Sequence, residues 1–153
     1  MIPKIQFSIL ASIMILNLVL AACTSATPAL SPADAPFGYN ELVEALQETG
    51  ALVEPAGELE QDFFPVGAQV IKVNGQDLQV FEFDSNASMK AAEETITGNG
   101  YIIGTMSIDW ISAPYFFSRD RLIVLYVGTD ESTLELLTEI MGSAFTGPNV
   151  GKP

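Results

Sequence analysis

Residues 69–83 read QVIKVNGQDLQVFEF, two runs of strand-forming residues separated by Asn74-Gly75. Asn and Gly both tolerate positive φ, which a two-residue hairpin turn of the primed type needs at both central positions. With that turn, Ile71 lies opposite Leu78 across the hairpin. The sequence therefore predicts an antiparallel β-hairpin here.

Further along the chain, residues 115–127 predict a second hairpin. The runs YFFS and LIVLYV flank Arg119-Asp120, which fits a tight turn. The LIVLYV run, residues 122–127, is apolar on both faces, so we expect it in the interior of the sheet. Apolar and polar residues alternate from Gly104 to Trp110. This alternation predicts one more strand, half buried.

Apolar residues at helical spacing between capping residues predict three helices. We expect them from about Asn40 to Thr49, from Asp84 or Ser85 to about Thr97, and from Thr129 or Asp130 to Gly142. The fold class that follows is α+β: a single mixed or antiparallel sheet of about five strands, with about three helices mainly on one face. Residues 37–146 are expected to form this single domain, and residues 147–153 a flexible tail.

The N-terminus predicts export and lipidation. Lys4 precedes an apolar run from Ile5 to Ala22, which ends in Leu20-Ala21-Ala22-Cys23. This pattern resembles the lipobox of bacterial lipoprotein precursors. The resemblance implies that residues 1–22 are a removable signal peptide, that the Cys23 thiol receives a diacylglycerol, and that the new amino terminus is acylated, for instance with palmitate. The alternative is an uncleaved membrane-spanning helix, because the run is at the lower edge of a spanning length.

Two observations favour the lipoprotein interpretation over the spanning helix. Cys23 is the only cysteine of the chain and stands at the position that the lipobox requires. No basic stop-transfer flank follows it, since residues 23–36 read CTSATPALSPADAP. That composition predicts a tether that links the anchor to the domain. We expect an extracytoplasmic location on the cell membrane, or on the outer membrane of a two-membrane cell.

The charge is strongly acidic and excludes one class of partner. The chain carries 19 Asp and Glu against 6 Lys and Arg, a formal net charge of −13. Such a surface repels nucleic acid and anionic lipid headgroups. We therefore expect no nucleic-acid partner. The membrane contact would be made by the lipid on Cys23.

Most routes to catalysis lack their usual residues. The chain has no histidine, and its one cysteine is the predicted lipidation site. This argues against the ordinary nucleophile–histidine pairs and against zinc, copper or haem sites built on His or Cys. No phosphate-binding glycine motif is present either. We expect no cofactor and no catalytic residue.

Carboxylates leave two alternatives open. Glu58, Glu60 and Asp62 would share one face of an extended segment, where they would offer hard oxygen ligands to a calcium ion. Neighbouring acids such as Glu93-Glu94 would serve a carboxylate-based enzyme as acid and base. In a chain this acidic, solvated surface carboxylates account for both patterns more simply.

The candidate interaction residues are aromatic and basic. Trp110, Tyr115 and Phe116 crowd one region, and Arg119 and Arg121 follow. Aromatic residues and arginine are enriched at binding hot spots. The competing interpretation is that the aromatic residues fill the core of the sheet and the arginines flank a turn.

The segment from Trp110 to Gly128 also resembles a group of small bacterial lipoproteins and secreted domains of unknown function. The shared features are Trp110, Pro114-Tyr115-Phe116, Arg119-Asp120-Arg121 and Leu125-Tyr126-Val127-Gly128. Where those proteins have a histidine after the proline, this chain has Tyr115. If that histidine has a chemical role in the group, this chain lacks it.

The function that these observations predict is a lipid-anchored extracytoplasmic accessory domain without catalytic activity. Its partner would be another protein of the cell envelope. The alternative is a lipoprotein that binds a small ligand or a divalent cation. A carboxylate-based enzyme comes last.

Overall fold

The computed structural model describes residues 36–148 and Val150. Its helices are α1 (Tyr39–Glu48), α2 (Asn86–Glu93) and α3 (Glu131–Met141). Its strands are β1 (Val53–Leu59), β2 (Ala68–Val73), β3 (Gln76–Glu82), β4 (Ile96–Thr97), β5 (Ile102–Ile103), β6 (Met106–Ser107), β7 (Pro114–Arg119) and β8 (Leu122–Val127). The predicted signal peptide, Cys23 and most of the predicted tether lie outside the described residues. Within the described part, no helix has the length and the apolar character to cross a bilayer.

The main sheet has five antiparallel strands in the order β1-β2-β3-β8-β7. The predicted first hairpin is β2–β3, and Ile71 pairs with Leu78 as the turn geometry requires. Asn74 has φ 49° and Gly75 has φ 88°, the positive values that this turn needs. The α+β class predicted from the sequence is confirmed.

The second hairpin is formed by β7 and β8. Its turn is Asp120-Arg121, one residue later than the sequence indicates, because Arg119 pairs with Leu122. Asp120 takes φ 51°, which aspartate tolerates better than most residues. The β8 strand lies between β3 and β7, and it is buried from Leu122 to Tyr126, as its two apolar faces predict.

The main sheet is covered on both faces. One face carries the side chains of Leu78, Val124 and Phe117, which pack with α1 and α3. The opposite face carries Phe81, Ile123, Leu125 and Phe116, which pack with α2 and with the small sheet β4-β5-β6. Two of the three helices therefore share one face, and the third lies on the other.

The connection between α2 and β7 differs from the prediction. The second helix ends at Glu93 instead of about Thr97, and Ile96 then pairs with Ile103 in the small sheet. The segment from Gly104 to Trp110 is not one strand, because only Met106 and Ser107 have strand pairing. The predicted alternation of half-buried and exposed side chains nevertheless holds from residue 105 to residue 110.

Local hydrogen bonds fix the helix ends. Ser85 caps α2 through its hydroxyl, and the Asp130 carboxylate caps α3 by accepting from the Thr133 N–H at 2.8 Å. A hydrogen bond from the Ser132 hydroxyl contributes most to holding the pKa of Asp130 below its ordinary value. Hydrogen bonds from the hydroxyl and the backbone N–H of Thr133 act in the same direction. The N-cap of helix α1 is Gly38, two residues before the predicted start of the helix at Asn40.

Both lateral edges of the main sheet are obstructed. Strand β1 contains Pro55, which has no N–H to donate, and its register shifts between Pro55 and Gly57. On the other side, Phe116 of β7 donates its N–H to the Thr146 carbonyl and accepts from the Phe145 N–H. Gly147 is buried beside this strand, so ordered packing reaches the first residue of the predicted tail.

Candidate functional site

The predicted aromatic cluster divides into buried and half-exposed members. Phe116 is fully buried, so it cannot contact a partner directly and can only support the residues that pack on it. Trp110 is half buried, and its ring lies 6.2 Å from the Phe116 ring and 6.2 Å from the Phe63 ring, edge to face in both cases. Its indole N–H donates to the Gly100 carbonyl at 2.8 Å. Trp110 is therefore held firmly in place.

The residue after Trp110 is the most exposed large apolar side chain of the described region. Ile111 has 99% of its surface accessible. Because Trp110 on one side and Pro114 on the other are packed, the Ile111 side chain projects from a chain segment that is fixed at both ends. Sequence reasoning did not single it out, because an isolated isoleucine in a loop carries no periodic signal.

A concave apolar surface lies beside Trp110. It is a groove of about 350 Å³ between the loop before β2 and the outer side of α2. Phe63, Phe64 and Pro65 line one wall, and Ser88, Ala91 and Thr95 line the other. The Phe63 ring contacts Trp110, so the groove (the Phe63 groove below) adjoins the Trp110 ring.

The hydroxyl groups in the Phe63 groove already have partners. Thr95 donates its hydroxyl to the Ala92 carbonyl at 2.7 Å, and the Ser88 hydroxyl lies 2.9 Å from that of Ser85. Small-molecule sites combine apolar walls with a few polar groups aimed at the ligand. The groove offers apolar contact and little polar recognition.

The two predicted arginines lie at the opposite end of β7 from Trp110, and they contact the chain where it enters the domain. The Arg119 guanidinium lies over the Phe37 ring at 3.8 Å and donates to the Ile140 carbonyl. Between the arginines, the Asp120 carboxylate accepts the Phe37 N–H at 3.0 Å. These contacts hold the first residues of the domain.

Arg121 completes the same arrangement. Its guanidinium pairs with Glu82 at 2.8 Å, and the same carboxylate oxygen accepts the Tyr39 N–H at 3.0 Å. A Cβ atom on Gly38 would lie 2.5 Å from Glu82 Oε1 and 2.6 Å from Arg121 Nη2. Only glycine therefore fits at position 38 without displacing this pair. Arg119, Asp120, Arg121 and Glu82 form what we name the entry clamp.

Tyr115 is the last of the predicted contact residues. It is half buried and packs against the core on the α1–α3 side of the sheet, next to Gly147. Neighbouring strand residues point to opposite faces, so Tyr115 and Phe116 cannot share one surface. The five predicted residues therefore contribute to three places: the Trp110 segment, the cores and the entry clamp.

The Leu125–Gly128 motif has a structural role. The Tyr126 hydroxyl donates to Gln76 Oε1 at 3.2 Å and accepts the Asp130 N–H at 3.1 Å, so it links the first hairpin to the start of α3. A Cβ atom on Gly128 would overlap the Tyr126 ring and hydroxyl. The position of the Tyr126 side chain therefore requires glycine at position 128.

The residues considered for cation binding or catalysis do not converge. Glu58 and Glu60 border a small cleft of about 210 Å³. Across the described residues, no group of three His, Cys, Asp or Glu side chains has the geometry to hold a metal ion. Glu93 accepts from Lys90 at 2.8 Å and from the Ser118 hydroxyl at 2.8 Å.

The cations of the domain are largely occupied by contacts within the chain. The described part of the chain contains all the acidic residues except Asp34. It contains only four of the basic residues: Lys72, Lys90, Arg119 and Arg121. Lys72, Lys90 and Arg121 form ion pairs, and Arg119 contacts Phe37 and Ile140. The remaining surface charge is that of carboxylates.

Comparisons of this chain with protein-family models, with curated proteins and with solved structures find no match.

Proposed function

We propose that this protein is a lipid-anchored extracytoplasmic accessory domain that binds another protein and has no catalytic activity. The observation that carries the proposal is that a fully exposed Ile111 follows Trp110, whose fixed ring contacts Phe63 at the edge of an apolar groove. A projecting apolar side chain beside an apolar groove is typical of a protein contact, because both gain by excluding water.

The anchor rests on the lipobox at Leu20-Ala21-Ala22-Cys23. Its test is metabolic labelling with an alkyne analogue of palmitate, followed by membrane fractionation. We expect Cys23→Ser to lose both the label and the membrane association, while Ser25→Ala keeps both. Labelling that survives in Cys23→Ser would contradict lipidation at this residue.

Protein binding is tested by photo-crosslinking in intact cells. Benzoylphenylalanine is placed at Ile111 and, as a matched control, at Leu52, an exposed aliphatic residue just before β1 at the far lateral edge of the sheet. We expect a discrete adduct from position 111 and none from position 52. Equal adducts from both positions, or none from either, would contradict a contact surface at Trp110–Ile111.

A second candidate is binding of a small apolar ligand, which the volume of the Phe63 groove favours. At about 350 Å³ it is at the lower end of small-molecule sites, which span roughly 300–1,000 Å³. A ligand that binds the native state raises the thermal midpoint. A metabolite that shifts the midpoint of the unmodified chain but not that of Ala91→Gln would establish this function in place of protein binding. Ca²⁺ and Mg²⁺ in the same panel test the cation alternative.

A further inference from the structure

We infer that the partner of the Trp110 side of the domain is a basic polypeptide segment, which inserts an apolar side chain into the Phe63 groove and packs against Ile111. The inference rests on the proposed function and adds the chemistry of the partner. It follows from the shape of the groove and from the charge around it.

Three acidic residues stand next in sequence to residues of this surface, and we name them its rim. Asp62 precedes Phe63, Glu94 precedes Thr95, and Asp109 precedes Trp110. All three acids are exposed, and none has a salt bridge within the described residues. The nearest cation on α2, Lys90, is paired with Glu93. An apolar centre with an acidic rim is complementary to a segment in which Lys or Arg residues flank an apolar residue.

The same charge argues against a second copy of this chain as the occupant. Two copies would bring two acidic rims together, and like charges in contact across an interface are costly. Nucleic acid and anionic lipid are disfavoured for the same reason. A basic polypeptide satisfies both the apolar groove and the rim.

The Ile111 end of the surface lies away from the point where the chain enters the domain. The chain enters the domain at Phe37, beside the turn that ends β7. Ile111 precedes the start of the same strand, so the six residues of β7 separate the two places. At about 3.4 Å per residue, that separation is roughly 20 Å along the sheet. The Phe63 groove extends back toward the entry clamp, because Asn86 at the start of α2 donates its side-chain N–H to the Asp120 carbonyl.

The test is a fluorescence titration of the full-length chain in non-ionic detergent, with Trp110, its only tryptophan, as the reporter. The probes are three short synthetic peptides without aromatic residues. The first contains Lys, Gly and Leu, the second has Ser in place of Leu, and the third has Glu in place of Lys. We expect only the first peptide to shift the tryptophan emission in a saturable manner.

Two variants with matched controls locate the site. Ile111→Ser removes the projecting side chain, and Ala91→Gln fills the groove without adding charge. We expect each to raise the dissociation constant of the Lys/Leu peptide about tenfold, the effect of losing one buried aliphatic contact. Leu52→Ser and Ala87→Gln make the same changes at exposed positions outside the groove, and we expect them to bind as the unmodified chain does.

Ionic strength tests the contribution of the rim. Raising sodium chloride from about 0.1 M to about 1 M shortens the Debye length from about 10 Å to about 3 Å, so we expect binding to weaken. The inference is overturned if no peptide binds, if the Lys/Ser or Glu/Leu peptide binds equally well, or if the site variants behave like their controls. A dimer that Ile111→Ser abolishes would also overturn it. If the titration fails in one of these ways but position 111 still gives a discrete crosslink in cells, only the basic chemistry of the partner is rejected, and the proposed function stands.

Discussion

Replacing Gly38 by alanine tests whether the entry clamp stabilises the domain. The backbone at Gly38 has φ −128° and ψ −167°, which alanine adopts without strain, so the effect comes from the side chain alone. The new methyl group would overlap Glu82 Oε1 and Arg121 Nη2. Because both side chains end in flexible groups, they can move aside, and the ion pair and the Tyr39 N–H bond to Glu82 are then lost together.

The magnitude follows from those two interactions. A hydrogen bond from a backbone N–H to a carboxylate contributes about 1.5–3 kcal/mol, and a partly exposed ion pair less than about 1 kcal/mol. The smaller conformational freedom of alanine in the unfolded chain offsets about 0.4–1 kcal/mol. We expect Gly38→Ala to lower the free energy of unfolding by about 1–2 kcal/mol. For a domain of this size that corresponds to a thermal midpoint about 4–8 °C lower.

The assay is urea unfolding of the purified chain, followed through Trp110 fluorescence, with thermal unfolding as a second probe. The matched control is Gly67→Ala, where a Cβ atom would lie 3.2 Å from the flexible, exposed Glu60 carboxylate and nothing structural would be lost. We expect the control to be within about 0.5 kcal/mol of the unmodified chain. Equal stability of both variants would refute a stabilising role for the clamp.

Three further predictions concern single contacts described above. Trp110→Phe keeps the aromatic packing and removes the N–H that bonds Gly100, so we expect a loss of about 1 kcal/mol in thermal unfolding; no loss would contradict that bond. Tyr126→Phe leaves the Asp130 N–H without its acceptor and should cost about 1–2 kcal/mol, and Gly128→Ala should cost more because it displaces the buried ring; the reverse order would be inconsistent with the packing. The lowered pKa of Asp130 means that its charged form stabilises the folded state above the unfolded pKa, about 3.9, and that this contribution is lost as pH falls through the lower, folded value. As the pH is lowered from about 5, Asp130→Asn should therefore lose less free energy of unfolding than the unmodified chain loses. Equal losses in the two chains would contradict a stabilising role of the Asp130 charge.

The sequence predicts the parts of this fold whose signals are local. The Asn74-Gly75 turn specifies its own register, so the Ile71–Leu78 pair follows without knowledge of the rest of the chain. The caps at Ser85 and Asp130 are equally local, since each side chain bonds an N–H three residues on. Boundaries that depend on distant contacts were wrong, as in the segment from Gly104 to Trp110.

The candidate site was harder to predict, because its contacts join residues far apart in the sequence. Arg119 and Asp120 contact Phe37, 83 residues from Asp120, and no local pattern indicates that pairing. The Phe63 groove joins the loop before β2 to small residues on and just after α2, and no local pattern indicates that pairing either. Trp110 is one of the predicted contact residues, but its neighbour Ile111 is the one that the surface exposes.

The obstructed edges of the sheet affect how copies of the protein associate at high local concentration. A lipid anchor would confine many copies to a thin layer, where the local concentration far exceeds that of the same number of molecules in bulk. An open strand edge under those conditions is a template on which copies add one to another and grow into fibrils. Pro55 on one side and the segment that pairs with Phe116 on the other leave little room for that growth. If the chain is anchored as proposed, we therefore expect dense display without edge-to-edge polymerisation.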